Sequence, residues 1–281
     1  GVVGDTGTSE FKVAVMRGDL ERVVKLSQGG PYAKHLCAMV GPENQGGSNV
    51  TCWGSNSYDV MGENIQSPAT QAVALAVPQY VEDVAIGNFY QCNLSHLGTV
   101  NCHGYNRYGQ VGQSMNSSVI PEPSGVSMLT ASTCLSDSSC PSGSCVGDNI
   151  SWFPYNPGHC TKPLDGVVSI AAYTLHACAV RTGDCVEDGD TGDIECGPRE
   201  TWCWGYNGDG RLGTGLNYEQ LEASEYARKV DDSNLHGASA KSVGPAGEHS
   251  CLVTAGGMLA CWGESSDYKT GTLSDGDQLS P

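Results

Sequence analysis

Positive charge is scarce in this sequence: 14 lysines and arginines stand against 31 aspartates and glutamates, for a formal net charge of −17 over 281 residues. A chain this acidic repels a phosphate backbone instead of releasing its counterions, so nucleic acid is not an expected partner. Long apolar runs are missing too. None approaches the roughly 20 residues a membrane-spanning helix requires, and no membrane span is expected. The nucleophile elbow Gly-x-Ser-x-Gly, the zinc helix His-Glu-x-x-His and the phosphate loop are all absent, which removes the minimal parts of the commonest hydrolytic and nucleotide chemistries and leaves no enzyme to expect. The chain opens without an initiating Met or a signal-type stretch, which reads as a processed boundary.

What is present is 38 glycines, 12 tyrosines and 39% hydrophobic residues, with 16% charged. Glycine and tyrosine suit tight turns and sheet faces better than helix interiors, so the expectation is an all-β protein of many short strands. Fourteen cysteines, an even number with no Cys-x-x-Cys knuckle, point to disulfides in an oxidising compartment. Four sequons, at Asn49, Asn93, Asn116 and Asn149, agree with a secreted or cell-surface glycoprotein.

Four segments read alike: HLCAMV…VTCWGSNSYDVMG from His35, YQCNLSHLGTVNCHGYNRYGQVG from Tyr90, HACAVRTGD…TWCWGYNGDGRLG from His176 and HSCLVTAGGMLACWGESSDYKTG from His249. Each places His or Tyr two residues before a Cys, then a second Cys, a ring and Gly. Self-similarity at such periods marks a solenoid or propeller. The closing glycines Gly62, Gly112, Gly213 and Gly271 have a counterpart in Gly4, so the array enters and leaves in mid-phrase, and the terminal strands are expected to need partners from further repeats or neighbouring subunits.

With these residues in view, the units resemble the repeats of the regulator of chromosome condensation family, whose pattern runs apolar strand, His, strand, Gly turn, strand, Trp-Gly-x-Asn and Gly-x-Leu-Gly. VSIAAYTLHACAV and TWCWGYNGDGRLG are the nearest matches. The resemblance implies about four four-stranded blades around an axis, as part of a larger ring or an open assembly, since rings of that family hold more blades than four. The units fall at about 1–60, 61–110, 111–210 and 211–281, with a Cys-rich surface insertion over 128–163. The cysteines are foreign to the family pattern, His103 stands where Trp is expected, and Ser265 stands where Asn is expected.

In an antiparallel hairpin, opposed residues are centred on the turn. Cys92 and Cys102 centre on Leu97, beside Gly98; Cys251 and Cys261 centre on Gly256; Cys37 and Cys52 centre within GPENQGGSN. Cys178 with Cys203 and Cys185 with Cys196 share one centre, which predicts two rungs on one long hairpin. Five bridges follow, each contributing about 2–4 kcal/mol by restricting the unfolded chain. Cys134, Cys140, Cys145 and Cys160 form two more bridges whose connectivity remains open among three arrangements.

The histidines His35, His176 and His249 share one repeat column with Tyr90, and repetition favours architecture over catalysis. Trp53, Trp204 and Trp262 read as interblade core in preference to a sugar platform. An acidic run holding Asp188, Asp190, Asp193 and Glu195 resembles a short Ca²⁺ loop, because hard cations take several oxygens on a flexible backbone, although a solvated acidic tip satisfies the same residues. No other cofactor is expected. The functional expectation is an extracellular structural or adhesive repeat protein that self-associates, as a subunit of a filament or surface assembly; the alternative is a secreted propeller-type binding or inhibitor module. Non-reducing peptide mapping is expected to recover Cys178 with Cys203 and Cys185 with Cys196, and recovery of Cys178 with Cys185 contradicts the long hairpin.

Overall fold

The computed structural model describes residues 22–41, 48–75, 80–141, 144–147, 158–189, 191–266, 269–271 and 278–281. They form an all-β propeller-type array of small antiparallel sheets. The first blade is β1 (Val23–Gln28), β2 (His35–Val40), β3 (Asn49–Gly54) and β4 (Ala69–Ala74), in that order from inner to outer edge. The second repeats it with β5 (Val81–Ile86), β6 (Tyr90–Ser95), β7 (Val100–Tyr105) and β8 (Val119–Gly125). Pro121 and Pro123 lie on β8, an outer strand, where a missing N–H costs the ladder nothing.

The insertion supplies β9 (Ser127–Cys134), β10 (Cys145–Val146) and β11 (Gly158–Pro163). The third blade follows with β12 (Val167–Tyr173), β13 (His176–Arg181), a side hairpin of β14 (Cys185–Glu187) and β15 (Ile194–Cys196), then β16 (Glu200–Tyr206) and β17 (Ala223–Lys229). The insertion is no detached excursion. Its strand β9 lies parallel to the outer strand β17, extending the third blade to a seven-stranded sheet ordered β10-β11-β9-β17-β16-β13-β12. The fourth blade holds β18 (Ala240–Pro245), β19 (His249–Thr254) and β20 (Leu259–Gly263), with Gln278 bridging Gly263 at the outer position.

The disulfides Cys37–Cys52, Cys92–Cys102, Cys178–Cys203 and Cys251–Cys261 each join directly opposed residues of the two middle strands of a blade. Cys185–Cys196 is the second rung of the third hairpin, although the ladder breaks between the two rungs and β14–β15 forms its own sheet. Cys134–Cys145 and Cys140–Cys160 brace the insertion.

A four-stranded blade cannot enclose its own apolar side chains, so neighbouring blades cover one another, and the core consists of three seams. In the first, Cys37, Met39, Val50 and Cys52 meet Val81, Val84 and Ile86. The second joins the Cys92–Cys102 face to Val167, Ile170 and Trp204, and the third joins the Cys178–Cys203 face to Val243, Leu252 and Trp262. One hydrogen bond recurs across these seams. The indole of Trp204 donates to the Gln110 carbonyl at 3.0 Å, and that of Trp262 to the Arg211 carbonyl at 3.0 Å. His103, standing in the Trp column, donates its ring N–H to the equivalent carbonyl of Val60. The substitution keeps the donor while giving up ring area.

The glycine that follows each ring is required by its backbone. At Gly205 the φ of +103° is left-handed, and an added Cβ would lie 2.5 Å from the Leu175 carbonyl oxygen. Two residues further on, a buried Asn ties down the next loop. Asn207 donates to the Leu216 and Leu221 carbonyls at 3.1 and 2.9 Å and accepts from the Leu212 N–H at 3.0 Å. Asn56 and Asn106 make the same bracket. In the fourth blade a 2.7 Å Ser265–Thr270 hydroxyl pair occupies this place.

Removing such a bracket strands several buried backbone groups. Asn207→Ala is therefore expected to lower the unfolding free energy by roughly 3 kcal/mol, and Asn207→Asp to be destabilising as well, because a carboxylate cannot donate. Equilibrium denaturation with the disulfides intact measures this, and a loss below about 0.5 kcal/mol contradicts the bracket.

Candidate interaction surfaces

The ring-bearing columns lie inside the protein. Trp204 and Trp262 are buried in seams and Trp53 is buried as well, so none offers a platform to a ligand. The Tyr90 hydroxyl donates across the second seam to the Tyr173 and His176 carbonyls, at 3.0 and 2.5 Å. His176 Nε2 pairs with the Ser250 hydroxyl at 2.8 Å across the third. Burial holds these imidazoles neutral: His35 is lowered to about 3, with the neighbouring His103 adding to the effect, and His103 to about 4. His176 is likewise depressed by burial, then by Arg211 and His249. A histidine kept neutral between packed blades is architectural.

The acidic tip is exposed. Asp188 and Asp193 flank the β14–β15 turn, where Asp188 Oδ1 accepts the Thr191 N–H at 3.3 Å and the Asp188 N–H donates to the Asp193 carbonyl at 2.8 Å. Asp190 lies outside the described residues. Among the described residues no three carboxylates converge as a ligand set; the one cluster of potential metal-ligating atoms, at Cys134, Cys140 and Cys160, belongs to disulfides. The expected Ca²⁺ loop of Asp188, Asp190, Asp193 and Glu195 thus gains no support, since the turn spends a carboxylate oxygen on its own backbone. Of the sequons, Asn49 and Asn116 are exposed, and Asn149 lies outside the described residues. Asn93 is 2% exposed within β6, so the expectation of a glycan there is corrected: the folded blade has no path for one.

Two surfaces escaped the motif search. The first is a strip of tyrosines. The residue before the bracket Asn is Tyr105 in the second blade and Tyr206 in the third, while two residues after it stand Tyr58 and Tyr108 in the first and second. Across the first and second seams these columns meet, with ring centroids 4.7 Å apart for Tyr58–Tyr105 and 4.8 Å for Tyr108–Tyr206. Phe89 joins the first pair and Tyr218 the second. Arg107 and Arg211 lie over Tyr108 and Tyr206 at 5.9 and 4.9 Å. Burial raises the Tyr105 and Tyr206 phenols, and Tyr108 adds to both shifts, so the two pairs adjoin. Tyrosine and arginine with few lysines is the composition of protein-binding surfaces. Comparing the columns N-terminal and C-terminal to the Asn would have exposed the pattern.

The second is a cleft of about 770 Å³ between the insertion and the third blade, lined by Met128, Thr130, His159, Lys162, Arg181 and Trp202 among others. Its charges are paired. The buried Arg181 bonds Asp184 at 2.9 Å and Glu200 at 3.2 Å, and reaches Asp165 at 3.5 Å; Lys162 reaches Asp184 at 3.3 Å and Lys229 reaches Glu200 at 3.0 Å. The Arg181 hydrogen bond holds the Asp184 carboxyl below its ordinary range. Of these pairs, Lys162–Asp184 joins the insertion to the blade.

The seams also end unevenly. Their bridging cysteines are 0% exposed in the first three blades, whereas Cys251 and Cys261 of the fourth are partly exposed and Leu259 beside them is 68% exposed. At the other end, Leu26 of β1 is 56% exposed. Among the described residues, exposed apolar side chains thus stand at both ends of the array.

No protein-family model matches the sequence. Among solved structures, the chain is similar to Prp20p from Saccharomyces cerevisiae, in a structure concerned with its binding to Gsp1p and histones, at 17% identity and a TM-score of 0.60 over 92% of this chain and 49% of that one. It is similar as well to yeast RCC1 (Prp20) bound to Kap60, at 17% identity and a TM-score of 0.61 over 96% of this chain and 50% of that one. The chain therefore spans about half the length of the structures it matches, and the likeness shows the propeller-type fold.

The buried histidines give stability a pH dependence. The unfolded chain takes up protons near pH 6.5 while the folded seams refuse them until about 3 to 4, so stability is full above about 6.5 and falls as pH drops below it, by at most about 1.4 kcal/mol per unit for each histidine. The melting temperature is expected to decline between pH 6.5 and 5, and His35→Gln to flatten that decline. An unchanged slope in the variant contradicts the assignment.

Proposed function

We propose that this chain is an extracellular structural or adhesive repeat glycoprotein that works by contact with other macromolecules, self-association included. The observation that carries the reading is the exposure of Leu26 and Leu259 at the two ends of the described array. In the interior of the array the same positions are buried, and an apolar face rimmed by polar groups marks an association site. All fourteen cysteines are in disulfides, which supports an oxidising, extracellular location, and the exposed Asn49 and Asn116 are the sequons available for glycans. Seven bridges make the scaffold stiff, which suits a load-bearing or adhesive part.

A second reading, a binding or inhibitor module, is favoured by the tyrosine–arginine strip, whose rings are already ordered by packing across the seams and lose little freedom on binding a protein partner. Light scattering on a dilution series separates the two. The structural reading expects multimers that persist on dilution; a monomer at every concentration, to millimolar, removes it and leaves the binding module.

A further inference from the structure

The seven disulfides use every cysteine, and each closes within one blade or within the insertion, so none crosses from one blade to the next. The phenol pairs do cross. Tyr58 follows β3 of the first blade and meets Tyr105, the last residue of β7 in the second; Tyr108 follows β7 and meets Tyr206, the last residue of β16 in the third. The paired rings are tilted by 48° and 52°. Their centroid separations of 4.7 and 4.8 Å lie at the near end of the about 4.5–7 Å at which aromatic pairs rest, so ring meets ring in van der Waals contact. Two phenols bonded directly, carbon to carbon, have centroids only a little closer and rings twisted by a similar angle. The third seam is built differently. Asp209 occupies the column of Tyr58 and Tyr108, and Glu264 that of Tyr105 and Tyr206; each is bound to a cation of its own loop, Arg211 at 2.8 Å and Lys269 at 2.6 Å.

We propose that Tyr58–Tyr105 and Tyr108–Tyr206 are sites of oxidative cross-linking, where hydrogen peroxide, acting through a haem peroxidase, joins each pair by a carbon–carbon bond and staples the first three blades in series. Each phenol gives up one electron and its hydroxyl proton. The two phenoxyl radicals combine through ring carbons next to the oxygens, and the protons on those carbons move to the oxygens and restore both hydroxyls. The two electrons and two protons pass to the peroxide, whose O–O bond breaks to give two waters. The strip is open to such an oxidant: Tyr58 is 44% exposed and Tyr105, Tyr108 and Tyr206 are partly exposed, whereas Tyr90 is sealed in its seam. The inference rests on the extracellular location proposed above and not on self-association, because both partners of each pair belong to one chain. The two links close longer loops than any of the disulfides and restrict the unfolded chain accordingly.

Hydrogen peroxide and a haem peroxidase, added to the folded chain with its disulfides intact, test this. Dityrosine fluorescence is expected to appear. After digestion and reduction, peptide mapping is expected to recover the Tyr58 peptide joined to the Tyr105 peptide, and the Tyr108 peptide joined to the Tyr206 peptide, each product lighter than its parts by two hydrogens. Tyr58→Phe removes the first product and keeps the second, Tyr206→Phe does the reverse, and the ring left in place preserves the packing. Tyr32 and Tyr80, 66% and 55% exposed, are the internal controls, since a reaction governed by access alone couples them between molecules. At micromolar protein each aligned pair is expected to couple about a hundredfold faster than these, or more, because its partner is already held in place, and at a rate independent of dilution. Products formed mainly between chains, coupling through Tyr32 or Tyr80 in preference to the two pairs, or oxidation of the strip without any dityrosine overturn the proposal, and none of these outcomes bears on whether the chain self-associates.

Discussion

A sheet of four short strands has two faces, and this chain makes both of them apolar near the middle strands, so no blade is stable in water until another lies on it. That mutual covering is the constraint from which the rest follows. It explains why the cross-strand bridges sit where the next blade lands, why an indole or imidazole N–H must reach a carbonyl of the preceding loop, and why a buried Asn brackets that loop. Each seam combines apolar area with a few satisfied polar groups, so register between blades is specified as well as contact. It also accounts for the contrast between the exposed Leu26 and Leu259 and their buried counterparts in the inner blades.

Much of the fold was legible because it is periodic. The all-β class, the repeated hairpins and the resemblance to a propeller family rest on columns that recur, such as Cys92 with Cys102 and Gly205 with its counterparts, and recurrence separates a packing requirement from chance. The insertion was less legible. Composition marked residues 128–163 as a surface loop, but the pairing of β9 with the edge of β17 lies between segments about a hundred residues apart, with no periodic signal to announce it. Sequons and acidic runs are local patterns, and burial is not local. Asn93 fits the triplet yet faces into β6, and Asp188 fits a calcium ligand yet serves its own turn. The tyrosine strip was visible in principle, but only by pairing a column of one repeat with a different column of the next.

The histidines show how the same constraint governs electrostatics. His35, His103 and His176 are neutral because seams exclude water, and their depressed basicity reflects packing in place of reactivity. Arg181 is the counterexample, a buried cation kept by three carboxylates. The remaining acidic residues stand outside both arrangements and leave the chain a formal net charge of −17.

The central claim is that the partly exposed Cys251–Cys261 face of the fourth blade is an association surface. The rate at which a small thiol reduces Cys251–Cys261, compared with Cys178–Cys203 in the same native protein, reports access to each sulfur pair directly. At high dilution Cys251–Cys261 is predicted to be reduced far faster than the interior bridge, and at concentrations where multimers form to slow toward the interior rate. Equal rates for the two bridges at high dilution, or a Cys251–Cys261 rate that does not change with assembly, would contradict it.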